Sequence, residues 1–138
     1  MKSKAKGSIG ERKAKKWLEE GLSLAPGTLS RNLEQSRSGG SDILGLGPLT
    51  IEVKRRKRGP REYERAAWLE QVVRAAPMDT TPVVLYKVDG RNPWRVIVLA
   101  TVNTMHFSAP VVPADILGED WLEALQCEPW LQSMRQPK

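Results

Sequence analysis

The sequence predicts an α/β protein in which helices flank a mixed central β-sheet. Three observations lead to this prediction: the order of the helix and strand patterns, a strand pattern that is apolar on both faces, and a length of 138 residues of which 40% are hydrophobic. Along the chain the patterns read helix, three strands, helix and two strands. Helices that alternate with strands are typical of a layered α/β architecture, and this length suits one domain.

The first helix is predicted over residues 9–22. Its apolar residues Ala14, Leu18 and Leu22 recur at four-residue spacing and therefore lie on one face. A Pro-Gly break follows, and a polar strand is predicted over residues 28–35. We expect the apolar face of this helix to pack against the sheet.

A β-hairpin is the next predicted unit. Residues 42–45 and 49–54 are its strands, joined by a tight connection that contains glycine and proline. A second helix is predicted over residues 61–76, and strands at 83–88 and 94–100 follow it. The apolar stripe of that helix consists of Ala66, Leu69, Val72, Val73 and Ala76. The strand at 83–88 is apolar on both alternating faces, as expected in the interior of a sheet.

The C-terminal part is the least regular. Residues 101–138 are predicted as a proline-containing loop with a short helix at about 120–126, an appendage of unknown role beside a core at about 7–100 of a single domain. The single Cys127 excludes an internal disulfide, and the single His106 excludes chemistry that needs two histidines. No apolar run approaches the roughly 18 residues of a membrane helix.

Two segments together carry a charge of +11, which exceeds the net charge of +6 of the whole chain. Residues 1–16 have a balance of +6 and residues 54–65 a balance of +5, so the rest of the chain sums to −5. Such clusters favour a polyanionic partner, nucleic acid before membrane, with an ordinary solvated surface as the alternative. The basic N-terminus leads into a charged helix and not an apolar segment, which favours a cytoplasmic location over secretion.

Acidic and basic side chains converge in the predicted hairpin. Because side chains alternate along a strand, Glu52 and Lys54 share one face with Cα atoms roughly 7 Å apart, and Asp42 on the adjoining strand can lie beside them. Two converging carboxylates suit a hard divalent cation such as Mg²⁺, and an adjacent lysine can orient or help deprotonate a metal-bound water. The structural alternative is that Asp42 caps a turn and Glu52 is a solvated residue paired with Lys54.

Glu11 has two interpretations. On a helical wheel it falls close to Leu18 and Leu22, which places its carboxylate on the face towards the protein. The segment Ser8 to Glu11 also has the S-x-x-E form of a capping box, in which the two residues bond reciprocally at the helix start. Glu11 is therefore either a site residue or a helix cap.

At these residues the sequence resembles the PD-(D/E)xK nuclease superfamily, and within it the archaeal-type and phage Holliday-junction resolvases. The resemblance rests on Ser41-Asp42, on Glu52-Val53-Lys54 and on the helical Gly10-Glu11-Arg12. It covers about residues 7–100. The sequence departs from the family at the first motif position, since no proline precedes Asp42.

This resemblance implies a restriction-endonuclease-like αβββαβ core and a set of site residues. That set consists of the metal ligands Asp42, Glu52 and the carbonyl of Val53, the catalytic lysine Lys54, and the accessory acid Glu11. Mg²⁺ is the expected cofactor, and Mn²⁺ is expected to substitute for it. Some relatives also use a glutamine on the following helix. Gln71 is a candidate, but it lies opposite the predicted apolar stripe, and we leave it out of the site.

The function implied is that of a metal-dependent, structure-selective endodeoxyribonuclease, a Holliday-junction resolvase that hydrolyses phosphodiesters with Mg²⁺-activated water. We expect a homodimer acting on branched DNA in a bacterial, archaeal or phage-infected cell, without a membrane partner. The alternatives are a nuclease for duplex or nicked DNA and a catalytically silent DNA-binding module. The residues expected to bind DNA are Lys13, Arg37, Arg55, Arg56, Lys57, Arg58 and Arg61.

Overall fold

The described residues form a six-stranded mixed sheet with helices on both faces, which confirms the α/β class. The structure, a computed structural model, describes residues 2–33, 41–90, 92–101 and 111–135. The helices are α1 (Lys2–Gly21), α2 (Glu62–Ala75), α3 (Gly118–Leu125) and α4 (Pro129–Arg135). The strands are β1 (Ser30–Arg31), β2 (Ile43–Leu44), β3 (Leu49–Arg56), β4 (Thr81–Val88), β5 (Arg95–Thr101) and β6 (Val111–Leu117).

The strands follow one another across the sheet in chain order, from β1 to β6. β1, β2 and β3 are antiparallel neighbours, β3 and β4 are parallel, and β4, β5 and β6 are antiparallel again. A parallel pair of consecutive strands needs a crossover, which α2 supplies. The predicted hairpin is confirmed as β2 and β3. Of the strand predicted at 28–35, residues 30–31 form β1, and residues 34 and 35 lie outside the described part of the chain.

α1 packs on one face of the sheet through the residues that the periodicity predicts. Ala14, Leu18 and Leu22 are fully buried and share a core cluster with Ile51 of β3. The helix begins at Lys2, well before the predicted start at residue 9.

α2 packs on the opposite face of the sheet. Its buried residues are Trp68, Leu69 and Val72. They share a second cluster with Val84 and Tyr86 of β4. Because Val84 and Tyr86 are the register partners of Glu52 and Lys54, these two residues of β3 lie on the same face as α2.

α2 is turned about its axis relative to the predicted apolar stripe. Val73 is 43% exposed and Ala66 is also exposed, whereas Trp68 is only 6% exposed. The large indole buries more apolar area than an alanine or a valine, and its ring centroid lies 5.7 Å from that of Tyr86. This rotation brings Gln71 to the side of the helix that borders β3.

Residues after 110 extend both the sheet and the core. β6, which the sequence patterns do not predict, pairs along its length with β5. The short helix predicted at 120–126 is confirmed as α3, and its Trp121 and Leu122 join the cluster around α1 together with Leu131 of α4. Across the described ranges, no helix has the length and hydrophobicity that a membrane span requires.

Candidate active site

Asp42 is held against β3 by hydrogen bonds from both its side chain and its backbone. It is 3% exposed, and its Oδ2 accepts a hydrogen bond from the Val53 N–H at 2.7 Å. Its own N–H donates to the Ile51 carbonyl at 2.7 Å, and its carbonyl accepts from the Asn32 N–H at 3.0 Å. The carboxylate is therefore fixed beside β3, as the hairpin prediction requires.

Ser41 organises the turn that precedes Asp42. Its Oγ accepts a hydrogen bond from the Ile51 N–H at 2.8 Å and donates to the Ile43 carbonyl. The Ser41 hydroxyl therefore restrains the backbone directly before Asp42.

Glu52 is a buried carboxylate close to both a cation and other acids. It is 8% exposed, and its Oε1 lies 3.3 Å from the Lys54 Nζ. Burial raises the pKa of Glu52, and the charge of Glu11 raises it further, while Lys54 and a hydrogen bond with Asp42 act in the opposite direction. The net increase in pKa means that the surroundings leave the negative charge under-compensated. A divalent cation bound between Asp42 and Glu52 would supply the missing positive charge.

Val53 can contribute a third oxygen to this site. In a β-strand the N–H and the carbonyl of one residue point to the same edge, and the Val53 N–H points towards Asp42. In the pairing of β2 with β3, Ile43 lies opposite Ile51. Val53 lies two residues further along the same edge of β3, beyond this pair. The Val53 carbonyl therefore lies on the edge that carries the Asp42 carboxylate.

These donors fit a hard cation. Two carboxylates and one carbonyl are oxygen ligands, and Mg²⁺ combines few such ligands with several waters. In the portion of the chain that the structure describes, no three or more His, Cys, Asp and Glu side chains are grouped so that they could hold a metal ion. The candidate ligand set is accordingly Asp42, Glu52 and the backbone oxygen of Val53.

Lys54 bridges Glu52 and a residue that sequence reasoning left out. The Nζ of Lys54 donates to the Oε1 of Gln71 at 3.3 Å, and its side chain is 24% exposed. The omission of Gln71 follows from the incorrect orientation predicted for α2. Had Trp68 been assigned to the buried face, Gln71 three residues later would have fallen at the border of the helix with β3.

Glu11 lies at the margin of the site as one half of an ion pair. Its Oε2 is 3.1 Å from the Arg31 Nε, and the two side chains are 18% and 19% exposed. The capping-box interpretation is wrong, because α1 begins at Lys2 and Ser8 is therefore an interior helical residue. Glu11 is close enough to influence Glu52 electrostatically, but its partner is Arg31, which no sequence pattern indicated.

Two of the predicted DNA-binding residues have partners within the protein. Arg55 lies 3.1 Å from an Asp89 carboxylate oxygen, and a Cβ on Gly10 would come within 2.9 Å of the Arg55 Cδ. Gly10 thereby allows α1 to approach β3 closely. The guanidinium of Arg56 lies 5.1 Å from the ring centroid of Trp68, in cation–π geometry.

The other predicted DNA-binding residues lie at the surface where they are described. Lys13 is exposed on α1. Lys57, Arg58 and Arg61 are exposed in the segment that leads from β3 into α2. Arg37 lies outside the described residues. The exposed cations after β3 follow Lys54 along the chain by three to seven residues.

Together, the fold and the site define an α/β protein with two buried carboxylates, a backbone carbonyl and a lysine at one edge of its third strand. No family model matches the chain, and neither the curated proteins nor the solved structures include a match to it. The function is therefore inferred from this chain's own residues and their geometry.

Proposed function

We propose that this protein is a metal-dependent endodeoxyribonuclease of the restriction-endonuclease-like fold, and that it resolves Holliday junctions. The observation that carries the proposal is the convergence of Asp42, Glu52 and Lys54. Both carboxylates are at least nine-tenths buried, and the lysine ammonium lies 3.3 Å from one of them. In this proposal the two carboxylates would bind a cation next to an ammonium that can donate a proton, and these are the groups that hydrolysis of a phosphodiester uses.

Each residue of the site has a distinct task in this chemistry. Asp42, Glu52 and the Val53 carbonyl would hold Mg²⁺, or Mn²⁺ in its place. The bound cation would lower the pKa of a water molecule and offset charge on the phosphate. Lys54 would donate a hydrogen bond to a phosphate oxygen or to the attacking water, and its hydrogen bond to Gln71 restricts where the ammonium can lie.

The order of elements supports the finer assignment of the fold. α1, the antiparallel strands β1 to β3, the crossover helix α2 and the parallel strand β4 follow one another as in an αβββαβ core. The site lies on β3, next to the crossover. Elements β5, β6, α3 and α4 then extend the sheet and cover the face that α1 occupies.

A silent DNA-binding module fits the site less well than an enzyme does. Two buried carboxylates beside a phosphate backbone repel it unless a cation lies between them, and binding alone does not need them. The branched substrate is proposed together with a homodimer, because a four-way junction has a two-fold exchange point that a symmetric homodimer would match. A monomer that cuts linear or nicked duplex equally well would instead be a general nuclease.

The proposal is tested by replacing the carboxylates without changing their size. Asp42→Asn and Glu52→Gln should each abolish cleavage while DNA binding is retained or tightened, because each change removes a ligand charge and a repulsion with phosphate. Glu70→Gln is the matched control, since the Glu70 side chain is 62% exposed on α2 and pairs with Arg74. It should cleave like the wild type.

The assay uses labelled linear, nicked, flap and four-way DNA with Mg²⁺, Mn²⁺ or EDTA, and light scattering gives the oligomeric state. We expect a dimer that makes paired, symmetry-related nicks in the four-way substrate. Cleavage that survives both carboxylate changes would contradict the metal site. Equal cleavage of linear duplex by a monomer would contradict the resolvase assignment and leave the broader nuclease one.

A further inference from the structure

A cavity of about 240 Å³ lies between the first turns of α2 and the β5–β6 side of the sheet. It is separate from the candidate active site, which lies on β3. Its apolar walls are Ala66, Ile97, Pro113 and Ala114, and its charged rim includes Glu62 and Arg65. Ile97 is only 2% exposed and forms part of its interior surface.

The charges around the cavity balance one another. Asp115, which also lines the cavity, accepts hydrogen bonds from the Arg95 Nε at 2.8 Å and from the Tyr86 hydroxyl. The Nε of Arg65 lies 3.7 Å from Asp115 as well. With Glu62, these residues make two acids and two arginines. A strongly charged ligand therefore has no net attraction to the cavity, whereas a neutral ring with polar edges is suited to it.

The chain itself connects this cavity to the candidate active site. The exposed basic residues Lys57, Arg58 and Arg61 lie between the end of β3 and the first turn of α2. Across the sheet, the register runs from Glu52 to Asp115 over three strand spacings. Three spacings amount to roughly 14 Å across the sheet. Because α2 packs on the strands between these two positions, a DNA strand would pass around the N-terminal end of α2, where the basic segment lies.

We propose that the cavity binds one unpaired nucleobase of the DNA substrate, a few nucleotides from the phosphodiester that is cut. This inference rests on the proposed nuclease function. The volume is below the roughly 300–1,000 Å³ of sites for drug-sized ligands, which suits a single ring system. Ile97 and Pro113 on the sheet offer an apolar surface to one face of the base, and Ala66 on α2 offers one to the other face. Glu62 and Arg65 offer an acceptor and a donor to its edge, as carboxylates and arginines do when they read bases.

This site gives a single subunit a reason to prefer branched DNA. Extruding a base from a duplex costs a few kcal/mol and is easiest where the base is already unpaired, as at a branch point or a gap. The basic segment after β3 would guide the backbone from one site to the other through phosphate contacts that are independent of sequence.

The test fills the cavity from its helix wall. Ala66→Leu and Ala66→Phe each place a larger side chain in it, and Ala67→Leu is the control, because Ala67 is an exposed neighbour that does not line the cavity. The probe is a four-way DNA junction with a fluorescent purine analogue, brighter when unstacked, at successive positions beside the cut. Binding is measured in Ca²⁺ to suppress cleavage.

We expect wild-type protein and Ala67→Leu to raise the emission at one position, and both cavity variants to abolish that rise. Affinity for the junction should fall about tenfold in the cavity variants, within the range for loss of one stacked base. An abasic nucleotide at the same position should weaken binding to the wild-type protein equally. This last measurement does not depend on how any variant folds.

Three results would overturn the proposal. The first is unchanged emission in both cavity variants, and the second is an abasic nucleotide that has no effect on binding at any position. The third is loss of self-association in the cavity variants, which would mean that a side chain of a second copy occupies the cavity. Cleavage by the wild-type protein in Mg²⁺ separates this test from the proposed function. If cleavage occurs without the emission change, only the base site is refuted, and if the emission change occurs without cleavage, only the nuclease is refuted.

Discussion

Two buried glutamates should respond to pH in opposite directions. Glu52 is 8% exposed and Glu19 is 5% exposed. Burial raises the pKa of Glu52. Burial also acts to raise the pKa of Glu19, but the Leu29 N–H at 2.9 Å and the Lys15 ammonium at 3.1 Å outweigh it, so the pKa of Glu19 is lowered. Replacing each glutamate by glutamine removes the charge and nearly preserves the shape.

The protonated Glu52 side chain contributes to the free energy of unfolding at low pH, and this contribution is lost as the pH rises through its folded pKa. Its folded pKa lies above the reference value of 4.5, so the folded state binds the proton more tightly than the unfolded state does. Glu52→Gln should therefore raise the free energy of unfolding at neutral pH by about 1 kcal/mol, a gain typical of substitutions that relieve strain at a functional site. That corresponds to a rise in Tm of about 2–5 °C for a chain of this length. The gain should vanish at pH values below the reference value.

For Glu19, the sign is reversed. Its contribution is present above the reference value of 4.5 and lost as the pH falls through its lowered folded pKa. Glu19→Gln keeps an acceptor for the Leu29 N–H but loses the charge that strengthens this bond and the bond to Lys15. The expected loss at neutral pH is about 1–2 kcal/mol, and it should shrink in acid.

The assay is thermal unfolding followed by circular dichroism over a series of pH values, first in EDTA and then in Mg²⁺. Mg²⁺ at one hundred times its Kd should add about 2.7 kcal/mol to the stability of the wild type and less to that of Glu52→Gln. A constant offset between Glu52→Gln and the wild type at every pH would refute the reasoning. So would a Glu52→Gln protein that is less stable than the wild type at neutral pH.

Three further predictions concern the turn before β3, the phenol beside the cavity and the lysine of the site. Gly47 has φ +52° and a Cβ there would lie 2.3 Å from a tryptophan ring of α4, so Gly47→Ala should lose about 2–4 kcal/mol in a denaturant titration. Gly27→Ala, with φ +89° and nothing within 4 Å, should lose only about 1–2 kcal/mol, and equal losses would contradict the predicted clash. Burial and the Asp115 carboxylate on β6 raise the pKa of Tyr86 to about 12. The Tyr86 hydroxyl therefore contributes fully to the stability of the fold below its usual pKa of about 10, and this contribution is lost as the pH rises to about 12. Tyr86→Phe should lose about 1 kcal/mol at neutral pH and should lack the late phenolate absorbance step, whose persistence would contradict the assignment. Gln71→Leu should lower kcat about tenfold or more while DNA affinity is kept, because Lys54 loses its amide partner, and an unchanged kcat would remove Gln71 from the site.

The local parts of the fold and site could be predicted because their signals are local. The period of Ala14, Leu18 and Leu22 identified the buried face of α1. Strand alternation and a tight turn were sufficient to place Glu52 and Lys54 on one face. None of these inferences needs more than a dozen neighbouring residues.

The parts that sequence reasoning missed depend on contacts between distant residues. β6 contains Pro113 and Asp115, which interrupt an apolar alternation, and Asp115 is stabilised there by Tyr86 and Arg95 from two other strands. The orientation of α2 depends on where the Trp68 ring packs against the sheet. The contacts of Asp115 have no periodicity that could be read from the chain, and the packing of the Trp68 ring competes with a second apolar stripe on the same helix.

The contrast between the two buried glutamates is itself an argument about function. Glu19 serves the fold, and the fold surrounds it with a backbone donor and an ammonium that lower its pKa. Glu52 is almost as deeply buried, but burial and the charge of Glu11 outweigh the effects of Lys54 and Asp42, so its pKa is raised. Glutamine would fill the same space without a charge that burial disfavours, so packing alone does not require a carboxylate here. Under the proposed function, a cation between Asp42 and Glu52 would add positive charge to that of Lys54, so Glu52→Gln should reduce the stabilisation by Mg²⁺ and abolish cleavage together.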